Sequence, residues 1–376
     1  MFESVIALIV AMISIIIYLF SAVFDPTEKS GGLTSGTDTS PYQCRVLSFN
    51  IEYEATNYSP DDVVAVIKNS GADVAILNEA HEVEKLQEYH LPSTVITSAI
   101  ARSGMNYVFT HDWAVIASRH PMQQPFKGSR NKYLDSATLI DGTYYVIPVH
   151  FTDYPYQPFQ LAKIPYCYDT CQKNICSVTS ENESSVPSEN ASSVPYEKSS
   201  TKVHPADKKC TDDRRERETI SHAKKARGKD VDLLVAAINV LRQKYAAESR
   251  QNQPPIIIAG DFNEPSHLDW TEDVVAAGRK PLKVQFPTSK RLAAEGMIDL
   301  YRKIYPDPVK DPGYTWPARP MSLEELAEIS KGTIKGQIDT PSDRIDFIYG
   351  YGVNPVRAEI LETPSDHRAI LIDIVI

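Results

Sequence analysis

Two short apolar runs, each stopping on a polar side chain and separated by a well-punctuated helix, limit most tightly what this chain can fold into. Arg45-Val-Leu-Ser-Phe-Asn50-Ile reads as a buried strand, and Asp73-Val-Ala-Ile-Leu-Asn-Glu79 reads as a second strand ending on a carboxylate. Between them Ser59 suits a helix cap and Pro60 the first helical position. Asp61 and Asp62 favour the helix dipole, and Gly71 can end the helix. Strand, helix and strand at this spacing open an α/β domain. Further strands are expected at Trp113–Ser118, Ser136–Ile140, Tyr144–His150, Pro255–Gly260, Arg344–Tyr349 and Arg368–Ile376.

The remaining segments differ in kind. Val5 to Phe24 is an uncharged apolar run, and about twenty helical residues span the hydrocarbon core of a bilayer. Residues 1–24 are expected to be a membrane anchor or a signal peptide; Glu3, the missing Lys or Arg and the lack of a clean cleavage site favour the anchor. Residues 25–43 read as a flexible stalk, and 44–376 as one domain carrying an insertion at about 167–211. Within the insertion, Ser180–Pro187 (SENESSVP) and Ser188–Pro195 (SENASSVP) repeat in tandem. They are too polar and too rich in Pro and Ser to bury a core, so disorder is expected. The run Asp212–Lys229 is dense in both charge signs and reads as a solvated helix, with a nucleic-acid patch as the weaker reading. Val231–Tyr245 has helical apolar spacing and would pack one face on a sheet.

An apolar share of 42% allows a sizeable core, and the net charge of -10 disfavours a surface built to attract nucleic acid. Abundant carboxylates are also what a hard cation requires. Asn57-Tyr-Ser, Asn182-Glu-Ser and Asn190-Ala-Ser match the N-glycosylation pattern. Cys167, Cys171, Cys176 and Cys210 cluster, while Cys44 stands alone. A zinc site from that cluster with His204 matches no common spacing, and two disulfides suit a domain outside the cytosol better. The expected address is membrane-anchored with the main domain extracellular or lumenal, or secreted if the N-terminal segment is cleaved.

Taken singly, the polar residues at strand ends have bland readings. Glu79 could be a solvated carboxylate, His150 a satisfied core histidine, and Asp366-His367 a turn with a surface imidazole. Asp261 and Asn263 are two apart and face the same way on an extended backbone. Asp346 lies between apolar neighbours, where a buried carboxylate needs a partner. Together their order is distinctive: Asn50, Glu79 and His150 at strand ends, then GDFN (Gly260–Asn263), RID (Arg344–Asp346) and SDH (Ser365–His367). This order resembles the endonuclease/exonuclease/phosphatase superfamily from about Arg45 to Ile376, excluding the repeat-bearing insertion. GDFNEPSHLDWT, PGYTWP and DYPYQPFQLAKIPY further resemble a secreted or surface-exposed branch.

The resemblance implies a four-layer α/β sandwich of two mostly antiparallel sheets flanked by helices. It also implies a divalent-metal-dependent phosphoesterase, most naturally a phosphodiesterase, using Mg²⁺ with Mn²⁺ or Ca²⁺ as alternatives. Glu79 would ligate the metal, with Asn50 and Asp366 at or near its shell. Asp261 would orient or deprotonate the attacking water, and Asn263 would donate to the phosphate. His367 would contact the phosphate or act as acid and base, with Asp346 holding its tautomer, and His150 would support the phosphate or leaving group. His267, Trp270 and Trp316 either line the pocket or pack beneath it, and Tyr154, Tyr156 and Phe159 could form an aromatic platform. The substrate would be a phosphate ester of a nucleic acid, lipid headgroup or sugar, with no obligate protein partner. The alternative is a binding or adhesion module that keeps the fold with little activity. Removing Ser180–Pro195 should leave hydrolysis within about twofold of the intact chain, since a polar insertion adds little to a core; a phosphodiester assay on the deletion variant checks this.

Overall fold

The computed structural model describes residues 43–55, 57–80, 95–111, 113–162, 205–247, 254–322 and 342–376. The apolar run 5–24, the stalk up to residue 42, the tandem repeat, Asn182, Asn190, Cys167, Cys171, Cys176 and His204 lie outside the described residues, as does the side chain of Cys210. Among the described residues no helix is long and apolar enough to cross a membrane.

The strands are β1 (Gln43–Asn50), β2 (Val74–Asn78), β3 (Tyr107–His111), β4 (Ala114–Ser118), β5 (Met122–Gln123), β6 (Thr138–Ile140), β7 (Tyr144–His150), β8 (Ile256–Asp261), β9 (Ile298–Asp299), β10 (Asp346–Tyr351), β11 (Asn354–Leu361) and β12 (Ala369–Val375). They form two six-stranded sheets, ordered β11-β12-β1-β2-β4-β3 and β5-β6-β7-β8-β10-β9. Each sheet is mixed, with one parallel pair at its centre (β1 with β2, β7 with β8) and antiparallel neighbours elsewhere. The sequence reading anticipated mainly antiparallel sheets. The central parallel pairs matter most for the site, because they bring the carboxyl ends of four strands to one edge of the sandwich. Antiparallel β10 and β12 begin at that same edge, where Asp346 and Asp261 are register partners.

Helices α1 (Glu52–Ala55), α2 (Pro60–Ser70), α3 (Val95–Ala101), α4 (Lys132–Asp135), α5 (Gln157–Leu161), α6 (Pro205–Ala247), α7 (Glu272–Ala276), α8 (Pro287–Ala294) and α9 (Leu300–Ile304) complete the described elements. Helix α2 has the anticipated punctuation. The Ser59 hydroxyl accepts from Asp61 N, the Asp62 carboxylate accepts from Ser59 N, and Gly71 closes the helix at φ 64°. Its Val63 and Ile67 join Ile96 and Ile100 of α3 over Leu47, Phe49, Leu77 and Val115, on the outer face of the first sheet.

The charged run and the apolar helix of the sequence reading are one helix of 43 residues, α6, about 65 Å long at 1.5 Å per residue. It begins at Pro205, so the last residues ascribed to the insertion form its first turns. Val231, Leu234, Val235, Ile238 and Leu241 lay one stripe over Tyr145, Ile147, Ile256 and Ile258 on the outer face of the second sheet. Thr219, Ala223 and Arg227 continue the buried stripe at i, i+4 spacing into the charged half. That half is therefore not uniformly solvated. Between the sheets, Val46, Val74, Ile76, Val146, Ile257, Ile348 and Ile372 form the central core.

Two features join the sheets at the polar edge. The buried Asn78 at the end of β2 reaches across: its Nδ2 donates to Val149 O at 2.8 Å, and its Oδ1 accepts from Asp261 N at 3.1 Å. Gly260 has φ 143°, and a Cβ there would stand 1.8 Å from Val149 O and 3.0 Å from Asn78 Oδ1. Only glycine fits the backbone angle and the close approach together. Gly260→Ala should lower the unfolding free energy by at least about 2 kcal/mol, from backbone strain plus overpacking. An unchanged urea midpoint would contradict this account of the crossing.

Candidate active site

Six strand ends place the polar residues at one edge. Asn50 and Asn78 are register partners at the ends of β1 and β2, with Glu79 immediately after. His150 and Asp261 are partners at the ends of β7 and β8, and Asp346 begins β10. Asp366 and His367 precede β12 in a turn whose Ser365 Oγ donates to Asn50 O at 2.9 Å. All eight residues singled out from sequence thus lie at this edge.

Asp261 is the focus. Its Oδ1 accepts from Asn263 N at 2.8 Å, which leaves Oδ2 facing inward. Around Oδ2 stand Asn50 Nδ2 at 3.2 Å, His150 Nε2 at 3.9 Å and His367 Nε2 at 3.9 Å. Burial pushes the Asp261 carboxyl well above the ordinary range, and the Asp346 charge adds to that; His367 and the Asn263 N–H oppose it. His367 Nδ1 pairs with Asp346 Oδ2 at 2.9 Å, so Nε2 is directed at the centre. Burial alone would lower the His367 pKa, but the charges of Asp346, Asp366 and Asp261 outweigh it and hold the ring well above its usual value. The outcome is a buried imidazole set beside a buried carboxyl, each with its proton affinity raised. This arrangement can orient and deprotonate water on one side and stabilise negative charge on the other.

Asn50 organises the carboxylates. Its Oδ1 accepts from Glu52 N at 3.0 Å, so Nδ2 points inward and donates to Glu79 Oε1 at 3.0 Å as well as to Asp261. Its oxygen would reach a cation only after the amide turns. Asn263 spends one Nδ2 hydrogen on Phe151 O at 3.0 Å, and the amide carries a second for a phosphate oxygen. Glu52, Tyr53, Glu79 and Asn263 all have φ between 48° and 54°. For residues other than glycine each such angle costs on the order of 1–3 kcal/mol. Local bonds hold them: Tyr53 N donates to Glu79 Oε2 at 3.0 Å, and Glu79 N to Trp113 O at 3.2 Å.

The donor set fits a hard divalent cation. Glu52, Glu79, Asp261, Asp346 and Asp366 meet at this edge against two imidazoles, an excess of negative charge that a cation would offset. Asp261, Asp346 and His367 offer ligand atoms within 4.8 Å of one another, and the buried Asp346 Oδ1 has no hydrogen-bond partner among the described residues. Glu79 and Asp366 bring further carboxylate oxygens, and Asp366 is the more exposed of the two, with 39% of its side chain accessible.

Several participants escaped the sequence reading. Glu52 Oε2 accepts from Asp366 N at 3.2 Å, and burial followed by the Asp366 charge raises its carboxyl pKa. Its only signal was its place two residues after Asn50. Asn78 was hidden as the last letter of a strand. Arg227, read as part of a solvated charge run, is fully buried. It donates through Nε to Thr152 O at 3.0 Å, through Nη1 to Gln157 Oε1 at 2.7 Å and through Nη2 to Pro155 O at 3.2 Å, fixing the loop after His150.

Other expectations need correction. Tyr156 and Phe159 are buried and pack on Trp316, so they offer no exposed platform; Tyr154 is half-buried. For Trp270 the packing alternative holds: it is buried and donates to Asp343 Oδ1 at 2.8 Å. His267 Nδ1 pairs with Ser289 Oγ at 2.8 Å at the start of α8. Asn57, in the first N-glycosylation pattern, is exposed, and its Nδ2 donates to Glu52 Oε1 at 2.5 Å.

The family model described as Endonuclease/Exonuclease/phosphatase family matches residues 47–367. The uncharacterized protein F14F9.5 of Caenorhabditis elegans is 35% identical over 138 residues, which is 32% of this chain and 40% of that relative. The chain therefore spans about two fifths of the length of the curated relative it matches. Among solved structures, the 3' phosphatase NExo from Neisseria, bound to a product DNA hairpin, aligns with TM-score 0.46 and 13% identity, covering 88% of this chain and 98% of that one. An endonuclease/exonuclease/phosphatase from Beutenbergia cavernae aligns with TM-score 0.41 and 13% identity over 89% of this chain and 72% of its own. Truncated TDP2 from Caenorhabditis elegans gives 0.39 and 14% over 89% and 98%. With the family match running from β1 to His367 and the polar strand ends gathered at one edge, the chain belongs to the endonuclease/exonuclease/phosphatase family of phosphoester hydrolases.

Proposed function

We propose that this protein is a divalent-metal-dependent phosphodiesterase. The observation that carries the reading is the focus on Asp261 Oδ2, a buried carboxylate oxygen with two imidazole Nε2 atoms at 3.9 Å and Asn50 Nδ2 at 3.2 Å. When bound, a hard cation held by Glu79 and Asp366, with Asn50 nearby, would offset charge on the phosphoryl oxygens.

The chain's own groups account for the remaining steps. Asp261 Oδ2 orients the attacking water and takes its proton; the raised proton affinity of this buried carboxyl suits a base. The second N–H of Asn263 donates to a phosphate oxygen. His367, fixed through Nδ1 by Asp346 and carrying a proton on Nε2, stabilises negative charge as it grows on the phosphoryl group. His150 lies 3.7 Å from Glu79 Oε1 and supports the phosphate or the departing alkoxide. The bonds to Asn263 N, Asn78 and Phe151 O hold these groups before substrate arrives, so little reorganisation accompanies the reaction.

The apolar run Val5–Phe24 and the paired sequons at Asn182 and Asn190 support a tether to a membrane with the domain on the lumenal or extracellular side. The substrate class remains broad within this reading: nucleic acid, lipid headgroup or sugar phosphate.

Hydrolysis of bis-p-nitrophenyl phosphate by the purified chain should require Mg²⁺ or Mn²⁺, cease on EDTA and return when the cation is restored; activity untouched by chelation defeats the metal reading. Asp261→Asn should reduce kcat by about 10²–10⁴-fold with the fold intact by circular dichroism. His367→Ala should cost about 10²–10³-fold. Near-native turnover in both variants would remove the mechanism.

A further inference from the structure

Trp316 stands beside the site, and the reaction as derived does not use it. Its Nε1 donates to Asp366 Oδ2 at 3.0 Å. The ring lies edge-on to buried Tyr156 at 5.3 Å, tilted against buried Phe159 at 5.7 Å, and 6.3 Å from the His367 ring. The backbone is equally constrained: Trp316 N donates to Asp343 O at 3.0 Å and Trp316 O accepts from Asp343 N at 2.8 Å. The Asp343 carboxylate is itself pinned, accepting from Tyr156 OH at 3.0 Å, Trp270 Nε1 at 2.8 Å and Lys280 Nζ at 2.6 Å. The next residues continue the staple, with Ala318 N donating to Asp366 O at 2.6 Å. The indole N–H is therefore held at a fixed place by a rigid, largely buried support.

Asp366 is the opposite kind of group. With 39% of its side chain exposed, its carboxylate has room for several rotamers. Holding Oδ2 on the indole leaves Oδ1 near Ser365 Oγ at 3.3 Å and His367 Nε2 at 4.0 Å, on the site side. Partners that orient a ligating carboxylate commonly govern metal affinity by about 10–100-fold.

We propose that Trp316 is a positioning residue that turns Asp366 toward the divalent cation and so sets metal affinity rather than substrate affinity. The inference rests on the metal-dependent reading above, with Asp366 as one of the groups that hold the cation.

The test measures Mn²⁺ binding to the full chain without substrate, by electron paramagnetic resonance of free Mn²⁺. Trp316→Phe keeps an aromatic ring against Tyr156 and Phe159 but lacks the N–H. A second variant places β-(3-benzothienyl)alanine at Trp316, where sulfur replaces the N–H in a ring of nearly the same shape. Both should bind Mn²⁺ about 10–100-fold more weakly than the unaltered chain. The benzothienyl variant should keep the native melting temperature, and KM for bis-p-nitrophenyl phosphate at saturating Mn²⁺ should be unchanged. Mn²⁺ affinity within twofold of native in the benzothienyl variant, while Asp366→Ala weakens binding, overturns the inference and leaves the metal reading standing. A raised KM with native Mn²⁺ affinity also overturns it, assigning Trp316 to substrate contact. A native chain that binds no Mn²⁺, or an Asp366→Ala variant that binds it normally, removes the assignment of Asp366 and the inference with it.

Discussion

Asn78 is the interaction on which the rest of this site depends. One buried carboxamide spans the two sheets, giving a hydrogen bond to Val149 O of β7 and taking one from Asp261 N of β8. Apolar contacts between sheets are non-directional and would tolerate some sliding. A buried amide is intolerant, because displacement leaves polar groups unsatisfied, each at about 1–3 kcal/mol. The crossing therefore fixes where the first sheet's Asn50 and Glu79 stand relative to the second sheet's His150 and Asp261. Gly260 complements it, since the residue before Asp261 sits against Val149 O where no side chain fits.

Around that crossing the molecule concentrates strain and negative charge at one edge. Positive φ angles at Glu52, Tyr53, Glu79 and Asn263 are costly locally and persist because neighbouring elements overdetermine them. Burial raises the proton affinities of Asp261 and Glu52, and neighbouring acidic charge at this edge adds to it. A protein selected for stability alone would have little use for this arrangement. A hydrolase of phosphate esters would, since under the proposed function the same groups would take up a cation, a water proton and the charge of the reacting phosphoryl group. Support comes from elsewhere in the fold: Arg227 from α6 grips the loop after His150, and Asp343 holds the segment carrying Trp316.

Much of this was legible residue by residue. Ser59, Pro60 and Gly71 marked α2 because capping is local chemistry, and the β1, β2, β7, β8 and β12 runs were apolar enough to mark buried strands. The edge strands β3 and β11 were not found. They face solvent on part of their surface, so their burial patterns alternate imperfectly and their polar residues mask the signal. The charge run hid Arg227 for a related reason: its buried stripe of Thr219, Ala223 and Arg227 contains no large apolar side chain. Tyr156 and Phe159 looked like a surface platform because an aromatic cluster after His150 reads the same whether it faces solvent or packs inward on Trp316.

The sequence by itself determined which residues could do chemistry and that they lie at strand ends, because polar groups interrupting apolar runs are readable at short range. It also determined the family, through the order of Asn50, Glu79, His150, GDFN, RID and SDH. Only the tertiary structure decided how those residues face one another: Asp261 Oδ2 within 3.9 Å of two imidazoles, Asn50 turned to donate rather than accept, and Glu52 and Trp316 bonded to Asp366. The physical reason is separation along the chain. Asn50 meets residues 211 and 317 positions away, and such contacts leave no periodic trace in sequence. They exist because two parallel strand pairs, locked by a buried amide, bring distant strand ends to the same edge.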